Sequence, residues 1–376
     1  MRLLQVSYRD FRNLGEVTLC PSAHATIAVG QNGQGKTNLL EGIYFLSTLK
    51  PLRASRLGEL VRFGTERARV SGRFLLGGAE REIAVEVEKG VRQAFVDGKK
   101  AASLEEYFGG VSVVAFTPDD LEVVKGGPEG RRAFLDRAVF NRFPAFLRES
   151  RAYGRALKGR NKLLKEGAPA AYLDTWDEAL AKAGARVLTR RRALLMELSP
   201  KAQRAFDAIG RTPDGARYEY GLSHVSLESA GGFEGPDVDE GLLQHALLEA
   251  LSARRERDRE RGFTSAGPHA DDLEVRLGER MARTFASQGQ QRALVLGWKI
   301  AEIENLHAHH GFLPLLLLDD VSSELDPERN AYLMDYLAKS GAQTFLTTTD
   351  AQLVRAAAGE DTAWFRVRSG TVAAAE

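Results

Sequence analysis

The stretch Gly30-Gln31-Asn32-Gly33-Gln34-Gly35-Lys36-Thr37 fills every fixed position of the phosphate-binding pattern G-x-x-x-x-G-K-[ST]. Its glycines let successive backbone N–H groups turn inward around phosphate oxygens. Lys36 brings a point charge to the outer phosphates, Thr37 offers a hydroxyl to Mg²⁺, and Asn38 follows on the segment that the loop opens into. Far along the chain, Leu315-Leu316-Leu317-Leu318 ends in Asp319-Asp320. A buried strand delivering two carboxylates beside bound phosphates would let Asp319 share Mg²⁺ with Thr37. Asp320 would orient or deprotonate an attacking water. Without the phosphate loop, the same six residues would read as a strand ending in an acidic turn. A third candidate is Ser287-Gln288-Gly289-Gln290, at a helix start. Ser287 reads there as an N-cap, and the same helix end reads as a second anion site. The loop already has a helix N-terminus of its own, so a second one points to ATP held between two copies of the chain.

These residues need elements to place them. His24-Ala25-Thr26-Ile27-Ala28-Val29 is a short apolar run, which predicts a buried strand leading into the loop. Leu39, Leu40, Ile43, Tyr44 and Leu46 recur near helical spacing and predict the helix after it. Upstream, residues 2–8 and 16–20 predict short strands. Downstream, Val70, Gly72 and Phe74, then Ile83, Val85 and Val87, then Val91–Val96 alternate with period two. With turns at Gly77-Gly78 and Asp97-Gly98, they predict an antiparallel meander. Val111–Phe116, Leu273 to Leu277, the four leucines and Gln343–Thr348 predict further strands, alternating with helices. The expected fold class is α/β, a head with a mixed sheet built from residues 1–126 and 262–376.

Residues 127–261 predict an inserted helical arm. Phe134 and Leu135, then Phe146, Leu147, Tyr153 and Leu157, then Trp176, Leu180 and Val187 mark three helices, and their aromatic residues read as core. Between Glu129 and Arg204 there are 18 Lys and Arg against 8 Asp and Glu, a local net of +10. The whole chain carries +1, so the remainder carries 1 − 10 = −9. Such a block is the footprint of a polyanion surface, with Arg190-Arg191-Arg192 a first place to look for contacts. Ser229–Gly241 reads as a loop. The alternating charges Arg254–Arg261 read as a salt-bridged helix facing solvent.

Composition sets limits. The chain has 376 residues and is 43% hydrophobic, enough for a substantial core. It has no run of eighteen or more apolar residues, which argues against a membrane span, and its N-terminus lacks the apolar core of a signal peptide. Cys20 is the only cysteine, so an internal disulfide and a thiolate metal cluster are both excluded, and an intracellular location is expected. His269 reads as a turn or core histidine. His307, His309 and His310 read as complements to a helix dipole rather than metal ligands.

The phosphate loop, the Ser287 helix start and the apolar-Asp-Asp strand together resemble the ABC-type ATPase head, and Ser323-Glu324-Leu325-Asp326 resembles that class's D-loop. Tyr8-Arg9-Asp10-Phe11-Arg12-Asn13 narrows the resemblance to the RecF/SMC branch. The segments starting at Arg131-Arg132-Ala133-Phe134, Arg160-Asn161-Lys162-Leu163, Leu173-Asp174-Thr175-Trp176, Gly267-Pro268-His269 and Asp319-Asp320-Val321-Ser322 resemble motifs of the RecF family over nearly the whole chain. The resemblance implies a cytoplasmic DNA-repair ATPase with ATP and Mg²⁺ as cofactors. It further implies an ATP-dependent homodimer, binding to double-stranded DNA and gap junctions, and action with RecR, and with RecO and RecA in the pathway. It places Ser287, Gly289 and Gln290 on the γ-phosphate of the opposite subunit and Arg12 and Asn13 near the nucleotide. Asp320 stands where transporters use Glu, and Thr347-Thr348-Thr349-Asp350 where they use a histidine, so slow hydrolysis is expected. The alternatives are a transporter's ATPase subunit and a small-molecule P-loop kinase. The basic arm argues against the first, and the second helix-end anion site against the second.

Overall fold

A computed structural model of the chain describes residues 1–53, 56–210, 214–227, 232–235 and 237–375. Part of the expected loop at 229–241, namely residues 229–231 and 236, lies outside the described residues. The chain forms two compact units, one of Met1–Leu121 with Glu302–Glu376 and one of Glu122–Ala301.

The first unit holds two six-stranded sheets. One is antiparallel, and its Arg67–Leu76, Ala79–Glu88 and Val91–Val96 strands form the expected meander, pairing in register down to Leu76 opposite Ala79. In Arg67–Leu76 buried and exposed positions largely alternate, as they do when one face meets a core and the other meets water. The other sheet carries Val113–Phe116, Leu315–Asp319, Thr344–Thr348, Ala25–Val29 and Ala363–Arg368 in parallel, with antiparallel Thr371–Ala374 at its edge. The first three of these strands are buried at every position, because helices and the second sheet leave a parallel sheet no wet face. The helix Lys36–Thr48 touches strands of both sheets. It is buried nearly all round, so its apolar residues do not form a single stripe.

The second unit is mostly helical. Pro128–Arg142, Phe146–Lys165 and the 41-residue Ala170–Gly210 correspond to the three expected helices. Phe134, Phe146 and Tyr153 are core residues, as expected. The expected arm ends at 261, whereas the observed unit runs to Ala301, and two contacts account for this. Strand Ala216–Gly221 pairs antiparallel with Asp272–Leu277. Trp298, fully buried, packs on the rings of Phe134 and Tyr218. The charged segment also differs from expectation. Arg255–Arg261 is a helix of its own, and Asp258 within it is wholly buried.

Candidate nucleotide site

The loop's shape follows from what crowds it. A Cβ on Gly30 would lie 2.4 Å from the carbonyl oxygen of Val367 on the neighbouring strand, closer than any side chain tolerates. Gly35, the N-cap of Lys36–Thr48, has φ 109°, and a Cβ there would meet the Asn13 amide at 2.6 Å. Asn13 itself braces the loop. Its Nδ2 donates to Gln34 O at 3.2 Å, and its Oδ1 accepts from Asn38 Nδ2 at 2.8 Å. Gln34 is held from the other side by Ser369 N, which donates to its Oε1 at 2.7 Å.

Lys36 Nζ donates back to the carbonyls of Gly30 (2.7 Å) and Gln31 (3.0 Å). Burial lowers its pKa, while Asp320 and Asp319 act in the opposite direction. Asp319 Oδ1 accepts two hydroxyls, Thr37 Oγ1 and Thr347 Oγ1, each at 2.8 Å. The parallel pairing of Asp319 with Thr347 puts that second hydroxyl in place. Asp320 turns the chain with φ 51°, a left-handed conformation that Asp adopts more readily than most residues. Its N–H donates to Thr347 Oγ1 at 3.0 Å, and its own Oδ1 is buried with no hydrogen-bond partner. Burial raises the Asp320 pKa, and the Lys36 charge pulls it back down. An unpartnered buried carboxylate oxygen costs free energy that an incoming water or ligand hydrogen would relieve.

Asn32, Gly33, Gly35, Lys36, Thr37, Asn38, Asp319 and Asp320 line one open cleft of about 300 Å³, together with Arg53. An adjoining cleft shares Asn38 and Arg53 and adds Arg12, Asn13 and the fully exposed Phe63. The structure thus gathers the loop and the Asp319-Asp320 pair in one place. Arg12 is more constrained than its expected role suggests. Its guanidinium grips the buried Glu41 by two bonds of 2.8 and 3.0 Å. Glu41, Arg53 and the part Thr347 plays lie outside the sequence motifs. Arg53 donates to Asn38 Oδ1 at 2.8 Å and also reaches Glu41. An acid at Glu41, on a helix otherwise apolar over that turn, is the one local signal that a cation must be near.

A metal would find hard oxygen donors here, the Thr37 hydroxyl and the Asp319 carboxylate, of the kind that suits Mg²⁺. Among the described residues no group of three or more His, Cys, Asp or Glu could hold a metal ion.

Ser287, Gly289 and Gln290 belong to the second unit. Ser287 Oγ accepts from Gln290 N at 3.2 Å, and Ser287 N donates to Gln290 Oε1 at 2.9 Å, a reciprocal capping box on the 23-residue helix Gln288–His310. Ser287 is exposed. His269 is a turn histidine, bonded through Nδ1 to Tyr153 Oη at 2.5 Å and through Nε2 to Thr264 O at 3.0 Å. His307, His309 and His310 lie in the last turn of their helix.

The arm's cations divide into two sets. Arg190, Arg191 and Arg192 are occupied internally, with Glu149, with Asp136, Tyr220 and the Pro268 carbonyl, and with the carbonyls of Phe233 and Gly235. They offer little to an outside polyanion. Arg160, wholly buried, bridges Asp177 and Asp258 at 2.5 and 2.8 Å.

The family model "RecF/RecN/SMC N terminal domain" matches residues 2–372. The chain is 71% identical over 375 residues to the DNA replication and repair protein RecF of Myxococcus xanthus, covering 99% of this chain and 97% of that one. It is 55% identical over 377 residues to the protein so named in Anaeromyxobacter dehalogenans strain 2CP-1, with 99% of each covered. A solved structure of the recombination mediator protein RecF-ATPrS in the RecFOR pathway superposes with a TM-score of 0.88 at 31% identity, over 100% of this chain and 98% of that one. An SMC head bound to the C-winged helix domain of ScpA shares the fold, at a TM-score of 0.56 and 17% identity over 100% of this chain and 97% of that one.

Proposed function

Because the chain belongs to the RecF/RecN/SMC family, and within it to the RecF proteins, we propose that it is an ATP-switched DNA-binding protein of recombinational repair. It binds ATP in the loop Gly30–Thr37, closes as a homodimer around that ATP, and holds double-stranded DNA next to single-strand gaps. Its partners are RecR, and RecO and RecA in the same pathway, in the cytoplasm. Among the described residues no helix is long and apolar enough to cross a membrane.

The observation that carries the reading is the hydroxyl pair on Asp319 Oδ1, Thr37 on one side and Thr347 on the other, with Asp319 and Thr37 both lining the loop's cleft. Mg²⁺ would be held by Thr37 and Asp319 and would draw charge from the transferring phosphate. Thr347 keeps the Asp319 oxygen aimed at the loop. Lys36 leaves the Gly30 and Gln31 carbonyls for phosphate oxygens, a gain because an ammonium pairs better with an anion than with a neutral carbonyl. Asp320 accepts a proton or hydrogen bond from water through its partnerless Oδ1. Asp reaches less far than Glu, and Thr347-Thr348-Thr349-Asp350 supplies no histidine, so hydrolysis is slow and the bound triphosphate acts as a timer. Ser287 and Gly289, at the exposed helix start, meet the γ-phosphate held by the other copy.

The test is equilibrium binding of a fluorescent ATP analogue. Lys36→Met should weaken affinity about 100-fold, the loss of one charge-assisted contact to phosphate from a nearly buried lysine. Unchanged affinity would overturn the assignment of the loop.

A further inference from the structure

We propose that one face of the helix Phe146–Lys165 is the surface that grips the backbone of duplex DNA, and this rests on the DNA-binding reading above. Arg148, Arg151, Arg155, Lys158, Lys162 and Lys165 are all exposed. Their spacing runs 3, 4, 3, 4, 3, so they fall on one face of the helix. The stripe spans seventeen residue steps, about 26 Å of helix axis. The opposite face is core, with Phe146, Leu147, Tyr153, Ala156, Arg160 and Leu164 buried.

The basic block of the arm looks uniform in sequence, but its charges have different fates. Arg131 pairs with Asp272, Arg142 with Glu197, Arg160 with two aspartates, Arg190 with Glu149 and Arg191 with Asp136. On the stripe, Lys162 has only a loose 3.8 Å contact with exposed Glu166. Arg151, Arg155, Lys158 and Lys165 have no acidic partner among the described residues. The one acid within the helix, Glu149, is turned to Arg190. Arg151, Arg155, Lys158, Lys162 and Lys165 are like charges at helical spacing and repel one another by a few tenths of a kcal/mol per neighbouring pair. A polyanion laid along them relieves that repulsion and releases its counterions.

The occupant is double-stranded. The stripe carries no aromatic side chain, and sequence-tolerant binding of single strands relies on stacking bases upon aromatic rings. Nor does it carry Asn or Gln to read base edges. What it offers is a row of point charges roughly 5 Å apart, which suits phosphates flanking a groove.

The experiment measures binding of a fluorescent 30-base-pair duplex to the full chain with ATP and Mg²⁺, across a salt series. Arg151→Glu/Arg155→Glu/Lys158→Glu should weaken binding about 30-fold or more at 100 mM salt and flatten the salt slope by about three. ATP affinity and thermal midpoint should stay at wild-type values. Arg151→Lys/Arg155→Lys should bind within about three-fold of wild type, since charge rather than fork geometry is used. Lys99→Glu/Lys100→Glu, exposed cations of the first unit, should bind like wild type. A folded triple-Glu variant with unchanged affinity and slope would overturn the stripe while leaving the DNA-binding reading intact. A wild-type protein that binds no duplex at any salt would overturn that reading itself. Tighter binding to a single strand than to the duplex would overturn the choice of occupant.

Discussion

Two regions of this molecule are dense in charge, and they treat it in opposite ways. In the second unit, Arg160 and Arg191 are buried and held by acids and by neutral oxygens, with Arg160 Nη2 the one nitrogen of the two guanidinium groups that is buried with no hydrogen-bond partner. At the nucleotide cleft, Lys36 Nζ donates to two loop carbonyls, and Asp320 keeps a carboxylate oxygen without a partner. Charges satisfied inside the fold set its shape. Charges left with weaker partners await something from outside. The contrast implies that removing a charge should cost stability in the one region and ligand or activity in the other.

The largest effect should come from the closed region. Arg160→Met leaves Asp258 buried without its cation, and unfolding by urea should show a loss of about 3–5 kcal/mol, with nucleotide affinity of the folded protein unchanged. A loss below 1 kcal/mol would mean the network is not structural. Asp271 comes next. Burial lifts its pKa from the ordinary 3.8 to about 6, against the pull of Ser223 N–H, Arg191 and Tyr220. The folded chain therefore holds this proton up to about pH 6, whereas the unfolded chain releases it near pH 4. The associated stability is full below pH 4 and is lost as pH rises through 6. Over that range wild type should fall relative to Asp271→Asn by on the order of 3 kcal/mol. Parallel pH profiles would show the carboxyl titrates normally. In the open region, Lys36→Met should leave the urea midpoint unmoved while costing its nucleotide affinity, the reverse of Arg160→Met. The smallest effect should be Thr347→Val. It frees Asp319 from one of two hydroxyls, and steady-state hydrolysis should drop about ten-fold, roughly one hydrogen bond to a charged group. ATP binding should hold, and a wild-type rate would mean that Thr37 alone positions Asp319.

The same contrast explains what could be read from the sequence. The phosphate loop, the leucine run before Asp319-Asp320 and the strands of the meander are local patterns, each with a period or spacing of its own, and they stand where expected. The fate of the arm's arginines is not local. Arg190-Arg191-Arg192 looks like a surface, yet its partners Glu149, Asp136 and the Phe233 carbonyl are 41 to 55 positions away. Arg160 and its exposed neighbour Arg155 are the same residue type on the same helix and differ only in the face they occupy. Strand Ala216–Gly221 is six residues long and pairs with a strand more than fifty positions downstream, so the extent of the second unit could not be drawn from its own residues.

The central claim is that ATP is shared between two copies of the chain, with Ser287 of one closing on the phosphates held by the other. Sedimentation velocity with and without ATP and Mg²⁺ tests it most directly. The account predicts a monomer in the absence of nucleotide, a dimer in its presence, and a Ser287→Arg variant that binds ATP yet stays monomeric. A triphosphate-loaded protein that remains monomeric at every concentration, or a Ser287→Arg variant that dimerises like wild type, would contradict it.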